Sequence, residues 1–344
     1  MSTTRRQFLG LVLGLAIAAA AAPQARADGV VNVYTYRQPA LINPLLEAFT
    51  AKTGIEVRAV FADNGLVERL AQEGRNSPAD VLLTADAGRL VEAADRGLAQ
   101  PVNNPLILEK VPANLRDKDN QWFGLTMRAR VVYASRERAP ISAITYEELA
   151  DAKWKGKICM RPGNHPYNLG LVAAMIAHKG EDFTREWLKG LKANLAVKPS
   201  GNDRSQAKSV FAGECDLALA NTYYMGKMLT EQKEPEQKEW AKSVKIVFPS
   251  SPDFGTHVNI SGMLLAANAP NKDNALKLME FLASDEAQAV YANANFEYPV
   301  NPSVPANEVV TSWGAFTPDT LNVAEIARLE PQASKLIDEV QFND

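Results

Sequence analysis

Two adjacent tyrosines, Tyr223 and Tyr224, follow a strand-like run at residues 215–220 and open a helical run at 223–232. Neighbouring side chains point to opposite faces of a strand, and in a helix they diverge by roughly 100°. A turn from strand to helix is therefore the local structure that lets both phenols reach one point. The sequence predicts such a turn at these two residues.

A third tyrosine, Tyr167, stands at a comparable junction, after the loop RPGNHP and at the start of another helical run. The free N–H groups at a helix N-terminus attract anions. Tyr36 ends the first predicted strand and is followed by Arg37, while Arg128 and Arg130 alternate along a long strand-like run. Alternation places the side chains of these last two residues on the same face of that strand.

Clustered phenols suit a hard, highly charged cation. A phenol ordinarily has a pKa near 10, so a metal must displace its proton before it binds the oxygen. Fe(III) is such an ion, because hard cations select oxygen donors and three phenolates would neutralise its charge. The remaining coordination positions would take water or a small anion such as carbonate, held by arginine and helix N–H groups.

The same tyrosines also suit the aromatic walls of a site for a small organic ligand, such as a sugar, an amine or an amino acid. Their spacing alone leaves the metal and the organic interpretation open. Two other tyrosines, Tyr34 and Tyr133, are predicted to be core residues.

The sequence lacks the usual enzymatic motifs, because it contains no GxSxG, HExxH, P-loop or GxGxxG pattern. Its three histidines are His165, His178 and His257, and none is paired in sequence with a nucleophile. An exported hydrolase that uses His165 or His257 is the third class of function, and it has no nucleophile elbow to support it. We predict that the protein is not an enzyme.

The N-terminal residues have the pattern of a bacterial export signal. Residues 3–10 read TTRRQFLG, a short apolar stretch follows, and residues 25–27 form a small-x-small cleavage site. A stretch this short is typical of a cleaved signal. The RRxFL pattern indicates the twin-arginine export machinery, and an ordinary secretory signal with two basic residues is the alternative. We predict a periplasmic protein that is exported in folded form and cleaved after residue 27.

Removal of residues 1–27, which carry three arginines and no acidic residue, leaves 317 residues with a net charge of −6. That length is enough for two domains of roughly 150 residues each. A mildly acidic chain has no electrostatic footprint for nucleic acid. The pair Cys159 and Cys215 predicts one disulfide in an oxidising compartment, with two buried free thiols as the alternative.

Strand-like and helical runs alternate along the chain, first up to residue 97 and again from residue 155. This alternation predicts an α/β fold with mainly parallel sheets flanked by helices. The runs at 122–135 and 257–270 are predicted to cross between two lobes, with ligand bound in the cleft between them. The predicted boundaries are 28–126 with 253–300 for the N-terminal lobe and 127–252 with 301–344 for the C-terminal lobe.

The chain resembles the periplasmic ferric ion-binding proteins over essentially its whole mature length. The family's iron signature is a tyrosine pair after a strand, with a third tyrosine 56 residues before the first of the pair. The matching stretches are VNVYTYRQP, FADNGLVERLAQEGRNSPADVLLTAD, QWFGLTMRARVVYAS, YNLGLVAAMI, GLKANLAVKPSGNDRSQAKSVFAGECDLALANTYYMGKM and HVNISG.

The resemblance implies a type II solute-binding fold, with the metal held in the cleft between the lobes. It implies that Tyr167, Tyr223 and Tyr224 bind Fe(III), and that Arg128 holds a synergistic anion such as carbonate. It also implies a monomer that delivers iron to an ABC permease in the inner membrane.

The loop after the first strand departs from many relatives, which place a histidine there, with or without a tyrosine. Here the loop reads YRQP and has no histidine. The sequence is similar to the branch of the family that uses three second-lobe tyrosines with a bound anion. Tyr36 is predicted either to be a fourth ligand on closure or to donate a hydrogen bond behind the ligands. Arg37, Gln38 and Asn168 are predicted to support the anion or the ligands.

Overall fold

The computed structural model describes residues 29–251 and 253–344, so the predicted export signal lies outside the described residues. The strands are β1 (Val30–Thr35), β2 (Glu56–Phe61), β3 (Val81–Thr84), β4 (Trp122–Ser135), β5 (Ile158–Cys159), β6 (Leu217–Asn221), β7 (Val244–Val247), β8 (Val258–Leu265) and β9 (Tyr298–Pro299). The helices are α1 (Pro39–Thr53), α2 (Leu66–Glu73), α3 (Ala87–Asp95), α4 (Pro105–Lys110), α5 (Pro166–Lys179), α6 (Glu181–Ala193), α7 (Asp203–Ala212), α8 (Tyr223–Thr230), α9 (Gln237–Ser243), α10 (Lys272–Ala283), α11 (Asp285–Asn295), α12 (Glu308–Thr311), α13 (Val323–Arg328) and α14 (Glu330–Glu339).

The strands follow the order β2-β1-β3-β8-β4-β6-β5. Strand β1 pairs in parallel with β2 and β3, and β5 pairs in parallel with β6, as expected where helices connect successive strands. Strands β8 and β4 run antiparallel to their neighbours, so the sheets are mixed.

The long strand β4 joins two apolar cores. Its first part, up to Ala129, pairs with β8, while its last part, from Arg130 onward, pairs with β6 and β7. The side chains of Trp122 and Phe123 lie in a core built around β1, β3 and β8. Further along the strand, Val132 lies in a second core. The strand predicted over residues 122–135 therefore has the bounds of β4, while the predicted lobe boundaries stay a prediction.

The last helical segment of the chain consists of two helices, α13 and α14. Pro331 lies in the first turn of α14. Proline has no N–H for the bond to the preceding turn, and it is tolerated at a helix start, so the chain begins a new helix there. Within the described ranges, no helix is long and apolar enough to cross a membrane.

The predicted disulfide is present between Cys159 at the end of β5 and Cys215 just before β6, with 5.9 Å between their Cα atoms. Strands β5 and β6 are neighbours, with Cys159 opposite Ala218. The bond closes a chain segment that contains Tyr167, α5, α6 and α7. It therefore ties together the strands that precede both tyrosine-bearing turns.

Removing this bond is expected to lower the free energy of unfolding by about 2–5 kcal/mol, because the unfolded chain regains the freedom of the open loop. Urea unfolding of the Cys159→Ala/Cys215→Ala variant should show a lower midpoint than the oxidised wild type. A reductant should lower the wild-type midpoint and leave that of the variant unchanged. Equal midpoints for variant and oxidised wild type would contradict the expectation.

Candidate metal centre

The three tyrosines that follow strand ends converge in one cleft. Helix α8 begins at Tyr223, two residues after β6 ends at Asn221. The phenol oxygens of Tyr167 and Tyr223 lie 3.2 Å apart. The ring of Tyr224 stacks on that of Tyr223, with 4.2 Å between the centroids. All three side chains line a cleft of about 890 Å³.

Two of these phenols are hard to ionise without a partner. Burial raises the pKa of Tyr223 well above its ordinary value, and the neighbouring phenols of Tyr167 and Tyr224 raise it further. Burial also raises the pKa of Tyr224, followed by the influence of Tyr167 and then of Asp203. Both groups are therefore protonated at neutral pH unless a cation displaces their protons.

Guanidinium groups lie close to the phenol rings. The Cζ atoms of Arg161 and Arg128 lie 5.0 Å and 5.6 Å from the ring centroid of Tyr167. Arg204 lies 5.3 Å from that of Tyr224. Positive charge at this distance favours phenolates and small anions.

Arg128, the predicted anion partner, is almost fully buried. One of its Nη atoms donates to the carbonyl of Ala85. The other has no hydrogen-bond partner in the part of the chain that the structure describes. Arg128 lines a small internal cavity together with Tyr167 and His257. Its role toward an anion remains a prediction.

The first-lobe loop places Tyr36 and Gln38 in the wall of the same cleft. The phenol oxygen of Tyr36 accepts a hydrogen bond from the backbone N–H of Val67 at 2.8 Å. Its ring lies under Arg89, with 3.9 Å from Cζ to the centroid. This oxygen is therefore engaged at the start of α2, and ligation of a metal by it stays a prediction.

Arg37 also borders the cleft, but its guanidinium is buried in a network of polar side chains. Its Nε donates to the phenol oxygen of Tyr291 at 2.7 Å, and one Nη donates to Ser261 at 2.5 Å and to the carboxylate of Glu297. The nearby carboxylate of Glu297 compensates the cost of burying this charge. These contacts give Arg37 a role in the packing of the protein. Its predicted role toward an anion is a proposal.

Among the described residues, none of the three histidine rings is hydrogen-bonded to a serine, threonine or cysteine side chain. His165 caps α5, where its Nδ1 accepts from the backbone N–H of Tyr167 at 3.2 Å. Burial lowers the pKa of His165 to about 3, with Arg161 as the next cause, so the ring is neutral at pH 7. Nε2 of His178 is hydrogen-bonded to Oδ2 of Asp319 at 2.8 Å. Across residues 29–251 and 253–344, no group of three or more His, Cys, Asp or Glu side chains is arranged to hold a metal.

Several site residues were missed by sequence reasoning. Arg161 follows the short strand β5, and Arg204 lies in the first turn of α7, where it reads as a surface residue. Asn168, which was predicted, is buried and accepts a 2.7 Å hydrogen bond from Arg130. The carboxylate of Asp203 accepts hydrogen bonds from Nη1 of Arg130 at 2.8 Å and from Nη1 of Arg161 at 3.1 Å. The one sequence signal that could have identified any of the missed residues is a basic residue directly after a predicted strand, and this is the position of Arg161.

The chain is similar to proteins of known family. The family described as bacterial extracellular solute-binding protein matches residues 45–318. Iron uptake protein A1 of Synechocystis sp. (strain ATCC 27184 / PCC 6803 / Kazusa) is 44% identical over 311 residues, covering 90% of this chain and 86% of that protein.

Two solved structures are similar along most of the chain. The Mannheimia haemolytica ferric iron-binding protein A in an open conformation has a TM-score of 0.87 and 48% identity, and the similarity covers 92% of this chain and 99% of that one. The Trichodesmium protein in complex with iron and citrate ligands has a TM-score of 0.87 and 42% identity, covering 91% and 100%.

These similarities extend over most of the chain, including β4 and both tyrosine-bearing turns. The predicted two-lobed type II fold is therefore confirmed. The chain belongs to the bacterial extracellular solute-binding proteins, in the family of the ferric iron-binding proteins.

Proposed function

We propose that the protein captures Fe(III) in the periplasm through the phenolates of Tyr167, Tyr223 and Tyr224. The observation that carries this proposal is the convergence of three phenols in one cleft, with 3.2 Å between the oxygens of Tyr167 and Tyr223. Two phenolates this close repel each other unless a cation lies between them. A trivalent ion balances three phenolates, which agrees with the relatives whose names mention iron.

A small anion completes the proposed coordination. Three phenolates leave positions open on the metal, and Arg161 and Arg204 line the same cleft. Carbonate, or a carboxylate such as the citrate in the Trichodesmium complex, has the charge that these guanidinium groups attract. Arg128 remains the predicted anion partner from the sequence. One of its buried Nη atoms has no hydrogen-bond partner among the described residues, which supports an unmet need for an acceptor.

The iron-loaded protein is proposed to act as a monomer that delivers its cargo to an ABC permease in the inner membrane. The lobes close around the metal, and reopening at the permease releases it. The long strand β4 pairs with β8 in its first part and with β6 in its last part, and it thereby joins the two cores. We propose that the twin-arginine machinery exports the folded protein to the periplasm.

A second candidate function is the binding of a small organic anion, with the tyrosines as aromatic walls. A cleft of about 890 Å³ is larger than one Fe(III) ion with carbonate requires. Six arginine and lysine residues line it against three acidic residues, Asp63, Asp86 and Glu231, and this excess of positive charge favours a negatively charged organic ligand. This candidate predicts thermal stabilisation by an organic anion without any iron.

A titration with ferric nitrilotriacetate in bicarbonate buffer separates the two functions. The iron proposal predicts a red-orange charge-transfer band that saturates at one iron per chain, because phenolate-to-Fe(III) transitions absorb visible light. Absorbance and iron content after desalting measure it. A colourless protein with unaltered thermal stability would contradict the proposal, and a colourless protein stabilised by an organic anion would favour the second candidate.

A further inference from the structure

We propose that Asp203 is a positioning residue for the metal centre, which fixes the two tyrosine-bearing turns relative to each other; this inference rests on the proposed function. Asp203 is the first residue of α7 and its side chain is 0% exposed. An acidic residue at a helix start is usually explained by the helix dipole. The helix dipole favours an acidic residue there whether the residue is exposed or buried. It therefore does not explain why this carboxylate is fully buried or why it has the partners that it has.

One oxygen of Asp203 holds the turn that carries Tyr223 and Tyr224. Its Oδ2 accepts from the backbone N–H of Asn221 at 2.8 Å and from Nη1 of Arg130 at 2.8 Å. The same Nη1 donates to Oδ1 of Asn221 at 3.2 Å. Asn221 is the last residue of β6, so its backbone and side chain are both fixed two residues before the tyrosine pair.

The other oxygen of Asp203 holds the turn that carries Tyr167. Its Oδ1 accepts from Nη1 of Arg161 at 3.1 Å. Arg130 uses its second Nη atom to donate to Oδ1 of Asn168, at 2.7 Å, and the amide of Asn168 donates to the carbonyl of Arg161 at 2.9 Å. Asn168 directly follows Tyr167, so a closed ring of hydrogen bonds connects this turn to the first one.

This ring is buried, which makes it rigid and sensitive to change. Asp203, Arg130, Asn168 and Asn221 are each at most 3% exposed. Two guanidinium groups share one carboxylate, and removal of one partner from a buried charged network leaves unpaired charge in a low dielectric. The 3.2 Å separation between the phenol oxygens of Tyr167 and Tyr223 therefore depends on a carboxylate that does not itself line the cleft.

The test is the Asp203→Asn substitution in the full chain. An amide keeps the shape, but its NH₂ group must face a guanidinium or backbone N–H donor, and the negative charge is lost. We expect Fe(III) affinity, measured by competition with nitrilotriacetate, to fall about 10- to 100-fold, the usual effect of losing a residue that orients metal ligands. The visible band of the iron-saturated variant should also change in energy or intensity per bound iron.

Asp80→Asn is the matched control. Asp80 is likewise fully buried, and its carboxylate accepts from the backbone N–H groups of Asn32 and Asn271 at 2.7 Å and 2.6 Å. It immediately precedes β3 and does not line the cleft. We expect this control to lower the melting temperature while leaving iron affinity and the visible band unchanged.

A second variant covers the case in which Asp203→Asn does not fold. Arg130→Lys keeps the charge but cannot hold Asp203, Asn168 and Asn221 together, so the same changes in affinity and band are expected. If the folded variants bind Fe(III) with the wild-type affinity and show the wild-type visible band, this inference is overturned and the proposed function stands. A wild-type protein without the band would overturn the proposed function and this inference with it.

Discussion

Replacing any one of Tyr167, Tyr223 or Tyr224 with phenylalanine is expected to weaken Fe(III) binding by about 10²- to 10³-fold. Each substitution removes one anionic ligand from a buried cation, and truncating one partner of a buried charge pair costs about 2–5 kcal/mol. The cavity changes little, because only an oxygen is lost. Competition with a chelator gives the affinity, and the visible band should weaken or shift in each variant.

Tyr34→Phe is the control for these variants. Tyr34 is buried in the first core, and its phenol donates to both carboxylate oxygens of Glu73, at 2.8 Å and 2.9 Å. Its loss should change stability and leave iron binding intact. Tyr133 is a less suitable control, because its phenol donates to the carbonyl of Asn221 at 3.0 Å. Unchanged Fe(III) affinity in all three cleft variants would show that these tyrosines do not bind the metal.

Iron binding is expected to release about three protons from the protein, one for each phenol that becomes a phenolate. Burial raises the pKa of Tyr223 and Tyr224 above the ordinary value near 10, so in the metal-free protein these phenols are protonated at pH 7. Protons compete with the metal for the same oxygens. Affinity is therefore fully expressed at high pH and falls as the pH falls, by up to about 10³-fold per unit for three phenols.

A weakly buffered titration in a pH-stat measures this release directly. The count must be corrected for the protons that the iron complex and bicarbonate exchange, using the same addition to buffer alone. The Tyr224→Phe variant should release about one proton fewer than the wild type for each iron it binds. No net release from the protein at saturation would contradict phenolate ligation and favour neutral or carboxylate ligands.

The local part of the site could be predicted from the sequence, because it depends on short-range patterns. The strand of buried apolar residues before Asn221 and the helical pattern after it place Tyr223 and Tyr224 at a turn, as the structure shows. The disulfide was predicted on a different ground, because two cysteines in an exported chain favour one bridge although they are 56 residues apart, and it is confirmed.

The partners of the supporting charged residues could not be predicted, because these partners are distant in the chain. The guanidinium of Arg37 binds Glu297, which is 260 residues away. Asp203 looks like an ordinary helix start until the structure brings Arg130 and Arg161 to it. A charged residue's partner depends on tertiary packing, and local sequence patterns contain no information about it.

The central claim, that three phenolates from the two strand-to-helix turns hold Fe(III), is tested most directly by anomalous diffraction from iron-loaded crystals at the iron absorption edge. The account predicts one strong anomalous peak within coordination distance of the phenol oxygens of Tyr167, Tyr223 and Tyr224. A peak at another place, or one whose ligands include none of these oxygens, would contradict it.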